Sequence, residues 1–133
     1  MAACYAGDAR FSDPVFPDLR GERIGLMWRM LCERGTDLRI EWEVLRASDE
    51  DALVRWQAWY TFRATGRPVH NEILAMIEVR EGLIHRHRDD FDFHAWAGQA
   101  LGWKGLLLGW APPLRNAVRR EAARALEKFA ARA

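Results

Sequence analysis

Several things are scarce in this 133-residue chain, and each shortage excludes something. There are only two cysteines, Cys4 and Cys32, and neither sits in a metal-ligand or redox spacing. With no secretory signal at the start, two unpaired thiols point to a reducing compartment, so the expected location is the cytoplasm. Charge of one sign is also missing. A net charge of +1 gives no global field to gather nucleic acid, and no nucleic-acid partner is expected. Long apolar runs are absent as well. GLLLGWAPPL, from Gly105, falls far short of the roughly 20 residues that a membrane helix needs. Repeats and low-complexity segments are lacking too. What remains is an ordinary globular balance, 50% hydrophobic and 29% charged, long enough for one domain (residues 1–133) with a real core.

Periodicity orders the elements. Residues 1–6 read as the last turn of a helix, and 8–16 as a short strand with Asp13-Pro14 inside it. Ile24, Met27, Trp28 and Leu31 recur at helical spacing, and Gly35 is a good C-cap. The period then changes to two. Leu38, Ile40, Trp42 and Val44 alternate with charged residues, as do Ala52, Val54, Trp56, Ala58, Tyr60 and Phe62 with polar ones. Residues 69–80 and 83–92 form two further strands across the Glu81-Gly82 turn. A short helix near 94–101, a Gly/Pro-broken linker and an amphipathic helix over 113–132 complete the chain. This order predicts an α+β fold, a curved antiparallel sheet wrapped around helices.

Alternation also sorts side chains into faces. Trp56, Tyr60 and Phe62 share one face, as do Asn71, Ile73, Ala75 and Ile77 on the next strand. On the last strand His85, His87, Asp89 and Phe91 lie on one side and Ile84, Arg86, Arg88 and Asp90 on the other; pattern alone does not choose between them. His85-x-His87 has the spacing of some strand-borne metal sites, but no metal or other cofactor is expected.

Asp13 poses the sharpest question. It precedes Pro14 within YAGDARFSDPVF, flanked by Phe11, Val15 and Phe16. One reading is a turn aspartate capping backbone amides. The other is a pocket acid whose pKa is lifted toward neutrality by apolar neighbours. The second is expected, because Phe11 lies two residues earlier on the same face and turn residues stand on either side of the run.

Three segments in order, YAGDARFSDPVF at 5–16, TGRPVHNEI at 65–73 and EGLIHRHRDDFDF at 81–93, resemble the SnoaL-like branch of the nuclear transport factor 2-like superfamily. That branch includes ketosteroid isomerases, limonene epoxide hydrolases and polyketide cyclases. The resemblance covers roughly residues 1–95. It implies a cone enclosing a pocket, often dimeric through the outer sheet face, and generally without metal. It puts Asp13-Pro14 at the position of the isomerase general base and Asp89 at that of a catalytic Asp of the hydrolase. It also turns Tyr60, Phe62, Ala75, His87, Asp89 and Phe91 inward. The chain begins after the helix that bears the isomerase's oxyanion tyrosine, and Ala75 replaces that enzyme's protonated Asp. Neither mechanism transfers intact, and the first helix of the cone is expected to be missing.

The predicted site has Asp13, Asp89 and His87 as catalytic candidates. Phe11, Trp28, Trp56, Tyr60, Phe62, Asn71, Ile73, Ala75, Ile77, His85 and Phe91 form the ligand-binding wall. The expected ligand is small, apolar or aromatic, and carries a carbonyl or hydroxyl group. Two functions stay open: acid–base catalysis (isomerisation, cyclisation or hydrolysis), or ligand binding or dimeric assembly without catalysis. Trp59, on the outer sheet face, predicts a homodimer there. The basic C-terminal helix is expected to pack on the cone rather than on a membrane.

Overall fold

The computed structural model describes residues 2–132. A 3₁₀ turn at Ala2–Cys4 leads into β1 (Tyr5–Ser12), followed by β2 (Leu19–Arg20) and α1 (Glu22–Arg34). Four long strands follow: β3 (Arg39–Ala47), β4 (Asp51–Phe62), β5 (Arg67–Arg80) and β6 (Leu83–Asp90). The chain ends with α2 (Phe93–Leu101), α3 (Trp103–Leu108) and α4 (Pro112–Arg132). The β5–β6 hairpin turns where Glu81 and Gly82 both take positive φ, 53° and 78°, the geometry of a tight two-residue turn.

One six-stranded sheet runs β2-β1-β6-β5-β4-β3. It is curved and unclosed, as the α+β expectation required, but not wholly antiparallel: β1 runs parallel to β6, with Phe11 opposite His87. The start of the chain differs from its expectation. Tyr5 is the first residue of a strand rather than part of a helix end. β1 also stops before Asp13 instead of running on to residue 16, because Pro14 has no N–H to give a ladder and the Asp13 side chain takes the next two amides.

Helices cover one sheet face in two clusters. The first packs Phe11, Phe16, Ile24, Met27 and Met30 with Leu126 of α4. The second packs Val69 with Phe93, Trp96, Ala97 and Ala100, and draws in Tyr60, Phe62, Leu114 and Val118. α4 therefore lays its apolar stripe on the cone, and Arg23 of α1 pairs with its Glu127 at 2.6 Å. α3 folds back tightly on α2: a Cβ at Gly105 would overlap the Ala97 carbonyl, so only glycine fits there. Among the described residues no helix is long and apolar enough to cross a membrane.

Candidate functional site

Phe11 of β1, the β6 pair His87 and Asp89, Trp28 of α1 and Trp56 of β4 meet on the helix-covered face between the two clusters. His87 and Asp89 are the two polar residues buried with the core, 7% and 3% exposed. Burial on that scale requires partners, and each finds them. His87 Nε2 lies 2.7 Å from Asp89 Oδ1, and Tyr5 Oη lies 2.7 Å from His87 Nδ1. Trp28 Nε1 donates to Tyr5 Oη at 3.0 Å, and Trp56 Nε1 donates to Asp89 Oδ1 at 3.4 Å.

An indole N–H can only donate, so Tyr5 Oη accepts from Trp28. With the Tyr5 hydrogen on His87 Nδ1, the imidazole proton lies on Nε2, directed at Asp89, and that is the assignment tested below. Burial pushes the Tyr5 hydroxyl up to about 12, against the indole bond that lowers it and with the Asp89 charge that raises it. It therefore stays a donor. Both ring nitrogens of His87 are engaged, Nδ1 with Tyr5 and Nε2 with Asp89.

Asp13 satisfies both readings at once. Its Oδ1 accepts from the amides of Val15 at 2.7 Å and Phe16 at 2.6 Å, while its own N–H donates to the Phe16 carbonyl. That is turn chemistry. Yet the carboxyl is largely withdrawn from water, and desolvation lifts it from 3.8 to about 6. The two amide bonds oppose that shift, the Asp89 charge adds to it and His87 opposes it. The turn thus occupies one oxygen and leaves Oδ2 without a protein donor among the described residues.

Tyr60 packs against the second cluster. Its hydroxyl accepts from Trp96 Nε1 at 2.8 Å, and no protein acceptor among the described residues takes its own hydrogen. Burial raises its pKa; the Trp96 bond lowers it and the Asp13 charge raises it further. Tyr60 is therefore a proton-bearing donor close enough to Asp13 to feel its charge.

The other wall residues divide. Asn71, Ile73 and Ala75 sit opposite Ala58, Trp56 and Val54 on the helix-covered face, and Ile77 opposite Ala52. Phe62 is edge-on to Trp96 at 5.4 Å, within the second cluster. His85 is not brought to the group. A register shift after Glu78 skips it, and its ring lies 3.7 Å from exposed Asp8. Among the described residues no cluster of ligating side chains could hold a metal. The cavity here is an open cleft of about 290 Å³ whose charged lining is Asp13, Asp89, Asp90, Arg88, Arg115 and Arg119, with Pro14, Pro17 and Phe91 beside them.

Sequence reading missed Tyr5, Trp96 and Arg119. Tyr5 lay in residues taken for a helix end, where alternation assigns no face. Arg119 counted as a solvated residue of an amphipathic helix, although its Nε donates to the Pro14 carbonyl at 2.8 Å.

Comparison with solved structures places the fold. A ketosteroid isomerase-like protein from Catenulispora acidiphila, in complex with trimethylamine, superposes with TM-score 0.64 at 14% identity, covering 74% of this chain and 78% of that one. IdmH, a candidate polyketide cyclase from Streptomyces antibioticus, gives 0.59 at 21% identity, over 73% and 81%. An epoxide hydrolase of the LEH-like type from M. tuberculosis gives 0.55 at 22%, over 85% and 79%. Among curated protein sequences none matches. The SnoaL-like domain matches residues 1–87, more than half of the chain, and the chain belongs to that family.

Proposed function

We propose that this protein binds a small, mostly apolar carbonyl or hydroxyl compound at the Asp13–Asp89 cleft and catalyses proton transfer on it. The observation that carries the reading is Asp13. One oxygen is fixed by two amides, the other is open, and the carboxyl sits at about 6, close to working pH. In the proposed step Asp13 Oδ2 takes a proton from the carbon next to a carbonyl. The C–H electron pair moves into the enolate, and the oxyanion accepts the Tyr60 hydrogen bond. Return of the proton to a different carbon completes an isomerisation. Tyr60 stands in for the oxyanion donors that the resemblance finds missing. Asp89, braced by His87 and Trp56, supplies the neighbouring charge that helps hold Asp13 near neutrality.

The test is α-proton exchange of 2-tetralone in D₂O, followed by NMR. Wild-type protein should exchange faster than buffer, and Asp13→Asn should lose roughly 10²–10⁴-fold of the enhancement, the usual worth of a general base. Exchange equal in the two proteins leaves ligand binding without catalysis, the second reading. That reading is favoured by a cleft that is open rather than enclosed.

A homodimer through the outer sheet face belongs to the same proposal. Leu53, Leu74 and Met76 lie half-buried on that face. Trp59 contributes less than expected, being sandwiched within its own chain between the Arg39 guanidinium at 4.1 Å and the His70 ring at 4.6 Å. Cys4 and Cys32 are free and exposed, which supports placing the protein in the cytoplasm.

A further inference from the structure

We infer that α4 completes the cleft with an acid-binding subsite, Arg115 and Arg119, so that the ligand is a keto acid: an apolar, carbonyl-bearing body with a carboxylate. The inference rests on the proposed function and adds the class of substrate to it.

Arg115 and Arg119 are one helical turn apart and therefore share a face of α4. Both line the cleft that holds Asp13 and Asp89. Their heads are held there by different means. Half-buried Arg119 spends Nε–H on the Pro14 carbonyl, which ties α4 to the turn that carries Asp13. A guanidinium has five N–H donors, so its four Nη hydrogens remain. The Arg115 guanidinium lies 5.2 Å over the Phe93 ring, against the cluster that packs α2. Neither arginine forms an ion pair among the described residues, whereas Arg124 of the same helix is matched by Glu121 at 2.7 Å. Two cations fixed beside a concavity with their donors unspent suit a planar carboxylate.

The cleft holds three acids, Asp13, Asp89 and Asp90, against three arginines, Arg88, Arg115 and Arg119, and two of the acids are already partnered. Asp89 already accepts from His87 and Trp56, and Asp13 already accepts from two amides. Pro14, Pro17 and Phe91 add apolar lining to the cleft.

The experiment titrates ¹⁵N-labelled full-length protein at pH 7 and low salt with naphthalene-2-carboxylate and, separately, with naphthalene-2-carboxamide. The carboxylate should bind roughly tenfold more tightly, as a charge-assisted hydrogen bond predicts, and should shift the Arg115 and Arg119 Nε–H resonances. Arg115→Gln, an exposed position, should erase most of that preference. Arg119→Gln should erase it too, and its melting curve checks that the Pro14 turn survives. Equal binding of the two probes, a preference unchanged in both variants, or binding of neither at millimolar concentration overturns the subsite. Loss of the preference with tetralone exchange intact removes only the acid subsite. Loss of exchange with the preference intact removes only the acid–base reading.

Discussion

The two ends of the helix-covered sheet face make an instructive contrast. At the β1–β6 end, Phe11 is 1% exposed, packed under α1 and α4, and Asp89 is 3% exposed at the floor of the cleft. At the β3 end the same face carries Ile40, Trp42 and Val44, paired with Ala58, Trp56 and Val54, and these are 46%, 70% and 49% exposed. Alternation is cleaner at the exposed β3 end than on β6, where it left the face open. It tells which side chains point to one side of a sheet, and it says nothing about whether a helix lies over them. The site forms where cover exists, because only there does desolvation act on Asp13 and the buried pair.

The largest test of this contrast is stability. Phe11→Ala should cost about 3–5 kcal/mol, as truncation of a buried aromatic does. Trp42→Ala should stay within about 0.5 kcal/mol, as surface changes do. Denaturant melts measure both. A Trp42 variant as damaged as the Phe11 variant would show that something covers β3 in solution.

Next comes Asp13. A carboxyl whose folded pKa is raised binds its proton more tightly in the folded state, so its contribution to stability is present below about 3.8 and is lost as pH rises through about 6. The ionised group should then cost about 2–3 kcal/mol at pH 8. Asp13→Asn keeps an acceptor for the two amides without that charge. The variant should match wild type near pH 4 and exceed it by that amount at pH 8. A stability difference that is flat across this range would remove the desolvated acid.

Tyr5→Phe should have a smaller effect, about 1–3 kcal/mol, since it strands the Trp28 indole N–H and His87 Nδ1. Its specific signature is spectroscopic. The ¹⁵N spectrum of wild-type His87 should show a proton on Nε2 only, and the variant should show a second tautomer. A wild-type Nδ1 proton would reverse the direction of the network. The smallest expected effect is on association. Light scattering at micromolar concentration should give twice 15.4 kDa, and a clean monomer would leave the outer face unpartnered.

The four long strands, the β5–β6 hairpin, α1, α2, α4 and the inward side of β4 and β5 were legible from residues alone, because periods of 2 and 3.6 are local properties, whereas α3 lies where a Gly/Pro-broken linker was expected. The sequence also marked Asp13, Asp89 and His87, through residue type, flanking hydrophobes and a family resemblance. Tertiary structure decided the rest. Pro14 ended β1 at Ser12 and turned Asp13 into a capping residue and a desolvated acid together, which sequence reading had set as alternatives. The parallel pairing of β1 with β6 put Phe11 beside His87, while packing against α1 let Tyr5, 82 positions away, reach the imidazole. A register shift sent neighbouring His85 to Asp8, and the docking of α4 brought Arg119 to Pro14 across 105 positions. Such contacts depend on how elements are laid over one another, and local periodicity carries no record of that.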